Sequence, residues 1–281
     1  MKVPIKELVE SVAEKIAFPK VAFKILKLFE DDTLSAYHLA KAISVDPALA
    51  AYIIKVSNSA LYNFASRVKN LSDAIAMLGF EEVKKIVVMA STKSVFSQTD
   101  FYDEVLWEHS LATATASSIL NEQLKVTEEG SGYIMGLLHD IGKVVFKKYY
   151  PEEYADLMRV AYEESKPIKT LEEKVYGYNH ADVGSYLLEM WNFDQEIIDA
   201  VGFHHLNFAE VKSDILKCSA MVNLADSIVN FMGVGRKEPE KDLALINRLP
   251  AAKFLDFYSE NPADLANDIY ARFAALKETL E

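Results

Sequence analysis

Apolar residues recur at helical spacing along nearly the whole chain, and no convincing run of period-two alternation interrupts them. In "PKVAFKILKLFED", Val21, Ile25, Leu28 and Phe29 fall at helical spacing after Pro19, a residue suited to a first helical turn. "DPALAAYIIKVSN" repeats the device, with Asp46 placed to cap and Pro47 to take the first helical position. "NLSDAIAMLGF" closes on Gly79, a suitable C-cap before a further helix through "EEVKKIVVMA". Only 10 Gly and 8 Pro punctuate the 281 residues, so the expected fold class is all-α.

A chain of this length can bury one large core or two modest ones. His38 is the sole histidine before about Gln98, whereas the other five lie between about Asp100 and Phe231. The expected organisation is an N-terminal helical lobe over 1–98, a helical bundle over 99–232, and a linker with a C-terminal helical segment over 233–281. "GVGRKEPEKD" (233–242) is the linker candidate, being polar with Gly and Pro. The final helix carries Leu265, Ile269, Phe273 and Leu276 along one side.

A net charge of −12 argues against a general nucleic-acid or anionic-membrane binder, since either needs a cationic face to neutralise phosphates. Cys218 is the only cysteine, so the chain forms no internal disulfide, and any metal must rely chiefly on His and carboxylate. Cys218 falls in line with Ile215 and Val222 and reads as packing. Glu7 and Glu10 stand where a signal peptide would have its apolar core, and no apolar run reaches the roughly 18 residues of a membrane span. A cytoplasmic location is expected.

Seven titratable residues lie on or beside apolar stripes of about five helices. His109 is in register with Leu106, Thr113, Ala116 and Leu120, and His180 shares a face with Gly184, Leu187 and Trp191. Gly184 leaves room beside that ring. His139-Asp140 follows the apolar run of "GYIMGLL", His204-His205 ends a helix containing Ile197, Ile198 and Val201, and Asp226 borders Val222, Ala225 and Val229. Taken singly, each has an ordinary explanation: a hydrogen-bonded core histidine, a positive charge at a helix C-terminus, a solvated aspartate. Taken together, burying them costs several kcal/mol that a shared cation offsets. Mixed imidazole and carboxylate suits Fe, Mn, Ni or Zn better than Ca or Mg. Asp140 can bridge two such ions, Lys143 can contact a phosphate or be solvated, and Lys147 and Lys148 read as an exposed face.

The order His, His-Asp, His, His-His, Asp resembles the HD superfamily of metal-dependent phosphohydrolases. "GLLHDIGKVVF", "HADVGSYLLEMWNFDQEIIDAVGFHH" and "LAD" are similar to the HD-related output domain, the HDOD family. The N-terminal half carries that family's signatures at Asp46–Leu49, Asn58–Ala60 and Ala74–Gly79, so the resemblance covers roughly residues 14–230. It implies an N-terminal helical lobe packed on an HD-like bundle and a role in bacterial signal transduction. It also implies that His109, His139, Asp140 and Asp226 form a mononuclear metal set, to which His180, His204 and His205 add a second ion.

The resemblance also marks a departure. Cyclic-di-GMP phosphodiesterases of the HD-GYP type follow the double histidine with a Glu and a Gly-rich segment ending Gly-Tyr-Pro, whereas "LNFAEVKSD" follows it here. The expectation is a stand-alone regulatory module acting through protein partners, with one or two divalent transition-metal ions and little or no hydrolysis. The alternatives are a metal-dependent phosphohydrolase of a nucleotide or cyclic nucleotide, and a sensor that binds a nucleotide without cleaving it.

Overall fold

The structure, a computed structural model, describes residues 2–31, 33–59, 61, 62, 64, 67–96, 100–235, 239 and 242–280. Ala60, the expected boundary near Gln98, and residues 236–238, 240 and 241 of the linker candidate lie outside the described residues. No strand occurs among those described, and the chain is all-α. The first helices are α1 (Ile5–Val12), α2 (Lys20–Leu28), α3 (Ala36–Ile43), α4 (Pro47–Ser57), α5 (Leu71–Leu78) and α6 (Phe80–Lys93). There follow α7 (Phe101–Leu124), α8 (Ser131–Leu138), α9 (Ile141–Tyr149), α10 (Pro151–Glu163) and α11 (Ile168–Val175). The last are α12 (His180–Met190), α13 (Gln195–Gly202), α14 (Lys217–Phe231), α15 (Pro250–Phe254) and α16 (Pro262–Leu280).

The chain forms two compact units: a larger one of Met1–Ala17 and Phe96–Tyr270, and a smaller one of Phe18–Val95 and Ala271–Glu281. In the smaller unit the expected punctuation is in place. Asp46 accepts the Ala48 and Leu49 N–H groups (3.0 Å each) with Pro47 in the first turn, and each such cap stabilises its helix by about 1 kcal/mol. Gly79 takes φ +81° to end α5, a backbone that other residues adopt only with strain. Asn58 donates to the Ile54 and Val68 carbonyls and accepts the Val68 N–H, so one side chain ties the loop that follows α4 back to that helix. Ile25, Leu39, Ile43, Ile53, Val56 and Val83 are buried, and burying an aliphatic side chain of this size contributes about 1.5–3 kcal/mol.

In the larger unit α7 is the hub, packing on α8, α10 and α14. It is buried on most of its circumference, and Ala112, Thr113, Ala114, Ala116 and Ser117 keep it slim enough for neighbours to approach closely. Lys147, expected on an exposed face, is 13% exposed and pairs with Asp100 (2.7 Å) and Asp103 (2.5 Å), fastening α9 to the start of α7. Ile215, expected to share the buried line of Cys218, is 81% exposed, because a short 3₁₀ turn over Asp214–Leu216 precedes α14. Leu265, Ile269, Phe273 and Leu276 of α16 are all buried, as their spacing predicts. No helix among the described residues is long and apolar enough to cross a membrane.

Candidate metal centre

Glycine determines where the site residues meet. A Cβ on Gly136 of α8 would lie 2.6 Å from the Thr113 carbonyl oxygen and 2.8 Å from Ala114 Cα. Only glycine lets α8 press this closely on α7, which brings His139, just past the end of α8, beside His109. A Cβ on Gly142 would collide with the His180 carbonyl oxygen and lie 2.8 Å from the Gly184 nitrogen. That contact draws the first turn of α9 onto the first turn of α12, setting His180 against Asp140. Gly184 therefore makes room for the backbone of α9 rather than for the imidazole of His180.

The structure gathers all seven predicted residues into one cluster of the larger unit. His109 Nε2 lies 3.0 Å from Asp226 Oδ1 and 3.7 Å from Asp140 Oδ2, and His139 Nε2 lies 3.3 Å from Asp140 Oδ2. On the other side of the same carboxylate, His180 Nε2 is 3.1 Å from Asp140 Oδ1 and 2.8 Å from His205 Nε2. His204 completes the second group, its ring centroid 5.5 Å from that of His180 and 3.9 Å from that of His205. Two triads thus converge, His109/His139/Asp140 and His180/His204/His205, each with ligand atoms within 4.8 Å of one another. His204 and His205 sit in the turn just beyond α13, which ends at Gly202, rather than on the helix itself.

Four of the rings are held in the same sense. Nδ1 of His109, His139 and His204 faces the carbonyl oxygens of Val234 (3.1 Å), Gly136 (2.8 Å) and Val201 (2.6 Å). Nδ1 of His180 faces Glu172 Oε2 at 2.7 Å. Carbonyls and carboxylates only accept, so each Nδ1 carries the proton and donates, leaving Nε2 directed into the cluster. Nε2 of His139 and of His204 is buried with no hydrogen-bond partner. Orphaned imidazole nitrogens at the centre of a carboxylate-containing cluster fit a divalent transition metal, and second acceptors on the far nitrogens are what metal-ligating histidines have.

The charges agree. Burial opposes ionisation of Asp140, but His139, Lys143 and His180 outweigh it and hold this carboxyl well below its usual range. Asp226 is likewise lowered, against its burial, by His109. Burial, helped by His139 and His180, pushes His204 down to about 3, so its ring is neutral and free to ligate at ordinary pH. His205 moves the same way through burial and His204. For His180, Glu172 and Asp140 overcome burial and raise it to about 9: without a cation, a proton neutralises the carboxylates there.

A pocket of about 170 Å³ opens onto the cluster. Its floor contains His109, Asp140, Lys143, His180, His205 and Asp226. One wall is Tyr102, Val105 and Leu106 of α7, and another is Met158, Ala161 and Tyr162 of α10 with Ile168 and Lys169 of α11. Lys143 donates to Asp140 Oδ2 (2.5 Å) while lining this pocket.

Sequence reasoning missed the residues that act through others. Glu172 and Tyr154 brace His180, Asn230 donates to Asp226 Oδ1 (2.6 Å), and Asn223 donates to the His204 carbonyl (2.7 Å). The linker candidate supplies the Val234 carbonyl and Gly235, whose φ of +85° and missing side chain accommodate the His109 ring: a Cβ would lie 2.7 Å from Nδ1. One signal was available, since Glu172 is a carboxylate four residues beyond Ile168 and three before Val175, in line with apolar positions.

The HDOD domain model matches residues 16–207, more than half the chain, and stops short of Asp226. An uncharacterised protein of Treponema pallidum is 25% identical over 234 residues, 80% of this chain; the chain spans 45% of that relative's length. An HDOD domain protein of unknown function from Geobacter sulfurreducens superposes with a TM-score of 0.81 over 97% of both chains at 22% identity. A candidate phosphohydrolase from Shewanella amazonensis gives 0.75 over 98% of both at 19% identity. Likeness at these identities shows the shared all-α fold, and with the family match over the body of the sequence the conclusion is direct: this chain belongs to the HDOD domain family.

Proposed function

We propose that this chain is a regulatory HDOD module that acts on protein partners and holds one or two divalent transition-metal ions at the floor of a ligand pocket. The observation that carries the metal reading is the common orientation of four imidazoles, each donating through Nδ1 and turning Nε2 into the cluster, where those of His109, His139 and His180 face Asp140. His109, His139, Asp140 and Asp226 would hold one ion, and His180, His204 and His205 with the second oxygen of Asp140 the other. When bound, such ions act as Lewis acids that acidify a water and hold a phosphoryl oxygen.

Phosphoester hydrolysis is the second reading, and the pocket favours it. Lys143, Lys166 and Lys169 line it beside the apolar and aromatic walls, in a chain whose net charge is −12. That lining suits an anion joined to an aromatic or apolar group, such as a nucleotide. The residues would divide the work: Lys143 faces the anion, Tyr102 and Tyr162 wall off water, and the Val234 carbonyl keeps His109 oriented. The sequence after His205 lacks the Glu and Gly-Tyr-Pro of the HD-GYP phosphodiesterases, so the cyclic-di-GMP reaction is not proposed.

Metal analysis of protein purified without chelator or a nickel column tests the first reading, with Asp140→Asn as the control. About one or two ions per wild-type chain and a loss of more than about 100-fold in affinity in the variant are expected, ligand loss exceeding the effect of outer-shell changes. Wild-type protein that takes up no Fe, Mn, Ni or Zn would sink the reading. A phosphoester panel assayed on metal-loaded protein then separates hydrolysis from binding without turnover.

A further inference from the structure

Among the groups buried in the larger unit, Glu172 has no ordinary structural excuse. It is 0% exposed and is the only buried residue of α11, so a carboxylate occupies the one inward position where this helix would normally place an aliphatic side chain. An isolated buried carboxylate costs several kcal/mol, which its partners must offset. Those partners are few and specific. Oε2 accepts the main-chain N–H of His180 (2.9 Å) and its Nδ1–H (2.7 Å), and Oε1 accepts the hydroxyl of Tyr154 (2.5 Å). Tyr154 is itself fully buried and stacks on Phe146 with ring centroids 5.2 Å apart.

We infer that Glu172 is a positioning residue that aims His180 into the metal cluster and sets the affinity of the His180/His204/His205 group, with Tyr154 as its brace. The inference rests on the metal reading above. The contrast with the other rings carries it: His109, His139 and His204 are oriented by neutral main-chain carbonyls, and only His180 among these four is oriented by a full negative charge. A carboxylate on the far nitrogen makes an imidazole a stronger metal ligand as well as a fixed one. The influence is local, because Glu172 touches His180 and no other member of the seven among its hydrogen-bond and ion-pair partners here.

Glu172→Gln is the discriminating change. The amide oxygen can still accept both His180 protons, so the His180 N–H at the start of α12 keeps its acceptor while the charge is lost. Full-length metal-free protein is titrated with Zn²⁺ against a chromogenic chelator, and the Nδ1–H proton of His180 is followed by NMR. In Glu172→Gln one Zn²⁺ equivalent is expected to weaken about 10–100-fold while any other holds, with the His180 Nδ1–H resonance moving upfield. Tyr154→Phe should shift both readouts the same way by less, and it serves alone if Glu172→Gln does not fold. Equal weakening of two equivalents together with lost thermal stability would mean a scaffold role and overturn the inference; so would unchanged affinities. If wild-type protein takes no Zn²⁺, the metal reading falls separately. The positioning then stands or falls on whether the Nδ1–H resonance moves.

Discussion

The two triads share imidazole ligands but are held differently. His109 and His139 depend on main chain: carbonyls of Val234 and Gly136 fix the rings, and the glycine contact between α7 and α8 fixes their separation. In the second triad the Val201 carbonyl fixes His204, but His180 depends on a side chain, Glu172, and His205 is only half-buried. Main-chain support is hard to remove by substitution, whereas side-chain support can be deleted at one codon. The first triad is therefore the sturdier half of the centre and the second the tunable half.

The largest expected disruption strikes the joint between them. Gly142→Ala places a methyl against the His180 carbonyl and the Gly184 nitrogen, backbone atoms that cannot step aside without moving α9 from α12. Overpacking typically costs about 1–3 kcal/mol, and this contact belongs at the upper end or beyond. Urea denaturation should show that loss, and an unchanged midpoint would refute the account of how Asp140 meets His180.

Metal removal comes next. If the ions are present at a hundred times Kd, chelation should lower stability by about 2.7 kcal/mol. Calorimetry with and without chelator measures it. The second triad's ion should leave first as chelator is raised.

In the metal-free protein the second triad should also control the pH response. His204 is held down to about 3, so below its unfolded value of about 6.5 the unfolded chain binds the proton that the folded chain refuses. Stability then falls with acid between about pH 6.5 and 3, by at most about 1.4 kcal/mol per pH unit. His180 has the opposite sign. Raised to about 9, it contributes stability that is fully present below pH 6.5 and is lost as pH rises through 9. His204→Gln should flatten the acid limb and His180→Gln the alkaline one, as read from melting temperature across buffers containing chelator. If both limbs keep their slopes, the assigned charge states are wrong.

The smallest effect sharpens the other half. Gly235→Ala must hold φ near +85° with a methyl against His109, a strain of about 1 kcal/mol. It should weaken the first triad's ion while sparing the second, the mirror image of Glu172→Gln. Separate Zn²⁺ affinities for the two equivalents decide it.

How much of this was legible depended on where a residue's partners lie. Helices, the Asp46 cap and the Gly79 terminator follow from local spacing, and local spacing is what they obey. The seven site residues were legible because each sits on an apolar stripe that gives it a direction and because the ensemble carries a family resemblance. Lys147 was misread, since its acidic partners lie on α7 and just before it, outside any window along α9. Val234 could not be found at all, because it contributes a carbonyl that every residue type possesses. Glu172 was visible only as an acid out of place, and its purpose required knowing that His180 turns its Nδ1 toward it.

Helix α11 walls the pocket yet buries a single residue, and that residue is charged. A segment docked in this way can detach without baring much oily surface, so its local opening does not invite aggregation as the opening of a core helix would. Its latch is that carboxylate, held by the main-chain N–H and Nδ1–H of His180 and the Tyr154 hydroxyl, and the ionic part of the latch varies with whatever charge occupies the cluster behind it. The same arrangement that aims a ligand ring thereby makes the mobility of one pocket wall a function of what the site contains.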